Sequence, residues 1–188
     1  MPGCGLVVIV ANGGELWWKG STPHGSQGTR RMFQVRGQFD VSMDGKGRIP
    51  LPARLREKLE GAGEKRLVLA FHDGGLMTFT ETRWRSMERR FAGVSIFNKR
   101  ARAFLLAFVA GACEVEPDSQ GRILIPSSLR QRAGLNKRCV VTSYLGLLEI
   151  WDADRWLARQ DAAAAQVAIE GGLDDFVVFD PEDEGEDL

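Results

Sequence analysis

Polar and apolar residues alternate along Gln38–Met43 and again along Ala112–Glu116, the period-two signature of a strand with one buried face. Each run ends in a turn-forming tetrapeptide, Asp44-Gly-Lys-Gly47 or Asp118-Ser-Gln-Gly121, and resumes as a short apolar segment, Arg48–Leu51 or Arg122–Ile125. That grammar predicts a hairpin. Pro52 and Pro126 follow at positions suited to the first turn of a helix, where a missing N–H leaves nothing unpaired, and Leu55, Arg56 and Leu59 carry the first of these helices on. Leu67–Phe71 and Leu76–Phe79 flank a glycine turn and are mirrored by Cys139–Ser143 and Leu147–Trp151, so a second hairpin is predicted in each half. A closing helix follows, with Trp84, Met87 and Phe91 on one face in the first half and Trp156 in the second. Between the halves, Ala101, Phe104, Leu105, Phe108, Val109 and Ala112 recur at helical spacing, an amphipathic connecting helix whose stripe faces the core.

The two halves are copies. Asp44–Arg56 aligns with Asp118–Arg130 without a gap, seven of thirteen positions being identical, under the pattern D-x-x-G-R-I-x-[LI]-P-x-x-L-R. After a two-residue deletion the match resumes at Lys65–Val68 against Lys137–Val140 and persists through Gly74 with Gly146 and Arg83-Trp84 with Arg155-Trp156. Two copies are too few for a solenoid, so the expected arrangement is a pair of ββαββ units related by a pseudo-two-fold axis. Small hairpin units cannot each bury both faces of their strands, which favours interleaving them in one shared sheet or barrel. The fold class is therefore α+β and β-rich. Expected boundaries are an extension with little fixed structure over 1–31, a first repeat over 32–97, a connecting helix over 98–112, a second repeat over 113–160, and an acidic, largely disordered tail over 161–188. Met32 opens the patterned region and is read as the native start.

The formal charge of zero conceals a segregation. Residues 32–165 hold 22 Lys+Arg against 15 Asp+Glu, whereas residues 166–188 hold nine acidic residues and no basic one. A basic body suits a polyanionic partner, and the acidic tail is either a solvating appendage or a competitor for the basic face. Three cysteines without a C-x-x-C pair, and only two histidines, argue against a disulfide framework and a tetrahedral zinc site, and fit a reducing cytoplasm. The longest apolar runs, Leu6–Ala11 and Ala103–Ala110, are too short to span a membrane. There is no G-x-S-x-G, H-E-x-x-H, phosphate-binding loop or dinucleotide fingerprint, so no catalytic residue, metal, cofactor or small-molecule substrate is expected.

With Met32-Phe33, Arg36-Gly37, the two D-x-x-G-R units and the E-I-W-D-x-x-R-W run at Glu149–Trp156, the chain closely resembles the MraZ family of bacterial transcriptional regulators over about residues 32–160. The resemblance implies two AbrB-like swapped-hairpin repeats forming a pseudo-two-fold, double-psi-like barrel with peripheral helices. It also implies a ring-shaped homo-oligomer in the cytoplasm, associated with the nucleoid, that represses a division and cell-wall gene cluster by binding tandem promoter repeats in double-stranded DNA. Carried over by residue, Arg48 and Arg122 are the DNA-contacting arginines of the two turns, Asp44, Gly47, Asp118 and Gly121 their turn formers, and Arg36 an accessory contact near the opening. Physical chemistry adds to this a cluster of Lys46, Arg54 and Arg56 around Arg48, with arginine suited to forking onto a guanine and lysine to a phosphate. The glycine before each arginine is expected to permit close approach of the backbone to the duplex. Gln120 replaces Lys46 in the second turn, which predicts a weaker reader there. Two other readings of the residues stay open: Asp44 pairs with Arg48 or caps the turn, leaving a structural hairpin, or the chain is an AbrB-type antitoxin or a non-specific nucleoid or oligomeric scaffold.

Overall fold

A computed structural model describes residues 10–12, 15–17, 35–93, 97–144 and 146–169. The chain divides into two units, residues 1–31 and 32–188. In the first, Val10–Asn12 (β1) and Glu15–Trp17 (β2) pair antiparallel, a short ladder that the hydrophobic pattern does not predict.

The second unit runs β3 (Gly37–Ser42), β4 (Arg48–Pro50), α1 (Ala53–Gly61), β5 (Leu67–His72), β6 (Gly75–Thr80), α2 (Glu81–Phe91) and α3 (Lys99–Phe104). It continues with β7 (Cys113–Val115), β8 (Arg122–Leu124), α4 (Ser127–Ala133), β9 (Arg138–Tyr144), β10 (Leu147–Asp152) and α5 (Ala153–Ile169). It is an α+β, strand-rich unit. Six strands form one antiparallel sheet in the order β3-β9-β10-β6-β5-β7, and β4 and β8 form a separate two-stranded ladder.

The strand partners differ from the expected ones in one respect. β3 and β4 flank a tight turn but do not form a ladder with each other; β3 pairs with β9 and β4 with β8, both from the other copy. Reciprocally, β7 of the second copy pairs with β5 of the first. By contrast β5–β6 and β9–β10 are true hairpins, the former closed by Asp73 and Gly74 at φ 49° and 89°, the twist that a two-residue hairpin loop requires. The exchange is symmetric. Ile49 lies opposite Ile123, its own counterpart in the repeat, with Arg48 opposite Leu124 and Pro50 opposite Arg122 on either side. Met77 likewise lies opposite its counterpart Glu149 where β6 meets β10. A pseudo-two-fold axis therefore passes between both pairs.

The main core gathers the inward positions of both copies, including Ile49, Leu55, Leu69, Leu76, Ile123, Ile125, Leu129, Val141 and Ile150. A second cluster, Val68, Ala70, Phe79, Trp84 and Phe108, fills the space between the sheet and the helices of the first copy. The connecting segment supplies Phe104 and Phe108, stacked at 5.2 Å between ring centres, and it becomes π-helical over Leu105–Val109. Leu106, off the apolar stripe, is 60% exposed. α5 runs through Ile169, past the repeat boundary expected at residue 160. The rest of the acidic tail, like Met32, lies outside the described residues. Among the described residues no helix is long and apolar enough to cross a membrane.

Candidate nucleic-acid interface

Each D-x-x-G-R segment folds on its own carboxylate. Asp44 Oδ1 accepts the backbone N–H groups of Lys46 and Arg48, both at 2.9 Å, while Oδ2 accepts Arg48 Nε at 2.7 Å and Nη2 at 2.7 Å. In the second turn Asp118 Oδ1 accepts from Gln120 and Arg122 at 2.9 and 3.0 Å, and Oδ2 accepts Arg122 Nε and Nη2 at 3.0 and 2.8 Å. Pairing and turn capping, two roles the sequence left as alternatives, are thus performed by one carboxylate at once. Both carboxyls are held down at about 2, Asp44 chiefly by the Arg48 backbone N–H and Asp118 chiefly by the Arg122 guanidinium.

The β4–β8 ladder then sets the two turns side by side. Alternation sends Ile49 and Ile123 inward, each fully buried, and turns Arg48, Pro50, Arg122 and Leu124 outward. Arg48 Nη1 reaches within 3.8 Å of Asp118 Oδ2, joining the turns across the axis. Leu51 N–H donates to Gly121 O and Ile125 N–H to Gly47 O, so each turn is also clamped by the other copy's backbone.

Gly47 and Gly121 take φ of +85° and +72°, but the group that closes on them is protein. A Cβ on Gly47 would land 2.5 Å from Arg130 Cζ, and one on Gly121 would collide with the Arg56 side chain. The Cβ direction of each turn glycine is thus filled by the opposite repeat's arginine. Arg56 and Arg130 lie half-buried over the turns, and the Nε of each is buried without a hydrogen-bond partner among the described residues. Arg130, outside the candidate set, was legible as the counterpart of Arg56 in the repeat alignment. Arg48, Arg56, Arg122 and Arg130 therefore converge on the face that Lys46 tops, five cations against the two turn carboxylates.

The remaining candidates stand apart. Arg54 is exposed at the start of α1 and borders a shallow groove of about 310 Å³ lined by Phe39, Val41, Leu51 and Pro52. Arg36 is exposed just ahead of β3. No hydrogen bond or ion pair joins either to the turn cluster among the described residues.

The family model described as "MraZ protein, putative antitoxin-like" matches the chain twice, at residues 34–107 and 108–175. The chain belongs to the MraZ family. It is 41% identical over 127 residues to a protein of Ligilactobacillus salivarius named "Transcriptional regulator MraZ", covering 68% of this chain and 87% of that one. It is 40% identical over 143 residues to the protein of the same name from Carboxydothermus hydrogenoformans, covering 76% and 96%. The Corynebacterium glutamicum protein of that name is 39% identical over 142 residues, covering 73% and 97%. Each of the two matched segments contains one complete turn, so the paired site is the meeting point of both family units.

Proposed function

We propose that this MraZ-family chain is a sequence-specific DNA-binding transcriptional regulator whose reading head is the paired turn surface around Arg48 and Arg122. The observation that carries the reading is the convergence of Lys46 and four arginines on one pseudo-symmetric face built from both repeats. A duplex carries one negative charge per about 1.7 Å of axis, and such a face answers it with clustered guanidinium and ammonium groups. The aspartates that hold Arg48 and Arg122 act as second partners that fix each fork's direction before DNA arrives, which lowers the ordering cost of binding. The exchanged strands support the swapped-hairpin barrel of the resemblance, with Arg36 and Arg54 as outlying phosphate contacts. One such face is small against the roughly 1,000 Å² or more of protein surface typical of specific DNA complexes, so a ring-shaped homo-oligomer engaging tandem promoter repeats supplies the affinity by multivalency. The same reading makes it a cytoplasmic, nucleoid-associated repressor of a division and cell-wall gene cluster, without catalytic activity.

Fluorescence anisotropy with tandem-repeat duplex from the gene's own upstream region and with scrambled duplex, across a salt series, tests this reading. Preference for the upstream repeats with steep salt dependence is the expected result. Equal weak binding to both would favour non-specific coating, and no binding would favour an oligomeric scaffold.

A further inference from the structure

The axis between Ile49 and Ile123 makes the outward face nearly symmetric, and its departures from symmetry fall where side chains are most accessible. Lys46 stands at the first turn and Gln120 at the same place in the second. Both are exposed, the backbone N–H of each is fixed at 2.9 Å by its turn aspartate, and no other described residue engages either head group. Across the ladder Leu124 faces Arg48, while Pro50 faces Arg122. Leu124 is 52% exposed, so a branched apolar side chain lies beside the first arginine where the second has only a proline ring. What the two turns share is the arginine itself, whose Nε and Nη2 are committed to an aspartate in both.

Resting on the DNA-binding reading above, we propose that the two turns read unlike half-sites, Lys46 with Leu124 selecting guanine beside thymine and Gln120 selecting adenine, so that one chain docks on the duplex in a single orientation. Lys46, which its residue type alone suits to a phosphate, stands at the turn tip where its ammonium can instead donate to the O6 and N7 acceptors that guanine presents in the major groove, and leucine methyls pack against the thymine C5-methyl. A carboxamide both donates and accepts, which matches adenine N7 and N6 and no other base edge as well. The 3.8 Å approach of Arg48 to Asp118 keeps the two turns adjacent, so both readers address one stretch of groove. The weaker charge of the second turn is then a difference in what is read.

The test is the charge-neutral exchange Lys46→Gln with Gln120→Lys in the full chain, assayed with a randomised duplex library and then by anisotropy on the selected sequences. The wild-type chain is expected to select an asymmetric sequence. The exchanged chain is expected to select it with the guanine and adenine positions interchanged, a preference shift of roughly tenfold. Its salt dependence should be unchanged, because the number of cations is the same. Thermal melts confirm that the exchanged chain folds, and Gln120→Ala alone should relax discrimination at the adenine position only. A symmetric wild-type selection, or a profile untouched by the exchange, would overturn the proposal while leaving DNA binding in place. A wild-type chain that binds duplex but selects no sequence would remove the sequence-specific reading together with this one, and one that binds no duplex would remove DNA binding itself.

Discussion

A carboxylate that accepts two backbone N–H groups and an arginine fork is hard to protonate, and Asp44 and Asp118 both sit in that position. Their folded values of about 2 lie below the ordinary 3.8, so their stabilising effect is complete above pH 3.8 and is lost as pH falls toward 2. Thermal melts between pH 5 and 2 should therefore show the midpoint dropping over the lower part of that range, and Asp44→Asn with Asp118→Asn should flatten the drop. The neighbouring glycines are equally committed. Gly47→Ala and Gly121→Ala place a methyl against a guanidinium at a positive φ, and each is expected to cost about 1–3 kcal/mol in denaturant unfolding. The sequence shows that a glycine precedes each arginine, and turn chemistry explains part of the reason. That Arg56 and Arg130 fill the space over the turns depends on which copy lies opposite, which no local pattern encodes.

Among elements, the β4–β8 ladder is where burial and exposure separate most sharply. Ile123→Ala should cost about 2–5 kcal/mol because its side chain is fully buried in the main core, whereas Leu124→Ala, one residue on and half exposed, should change stability by less than about 0.5 kcal/mol. Paired chemical-denaturation curves decide this. Phe108→Ala should cost about 3–5 kcal/mol, since its ring meets Phe79, Trp84 and Phe104 at once. Period-two alternation told which face of Gln38–Met43 turns inward, but not which strand it bonds to, because a hydrophobic pattern carries no identity of partner. For that reason the local pattern around the turn predicts a hairpin while the ladder forms between copies. The connecting helix was legible for the same reason in reverse: its spacing marks the stripe whichever neighbour covers it, although the π-helical turn at Leu105–Val109 leaves no trace in that spacing.

At the scale of the whole molecule, exchange of strands means that neither copy contains the partners of all its strands. Within residues 32–97, β3 lacks β9 and β4 lacks β8. A fragment of that span is expected either to be unfolded or to dimerise, a second copy taking the place of the absent repeat, and sedimentation with circular dichroism distinguishes these from a folded monomer. A folded monomer would show that the exchange is dispensable. The central claim is that the paired arginines are the reading head. Its most direct test is anisotropy of the full chain carrying Arg48→Lys and Arg122→Lys, which keeps both charges and removes both forks, on upstream tandem-repeat and scrambled duplexes, alongside a thermal melt. The account predicts a folded protein whose preference for the upstream repeats falls by roughly tenfold or more while weak binding to scrambled duplex persists. An intact fold with undiminished preference would contradict it.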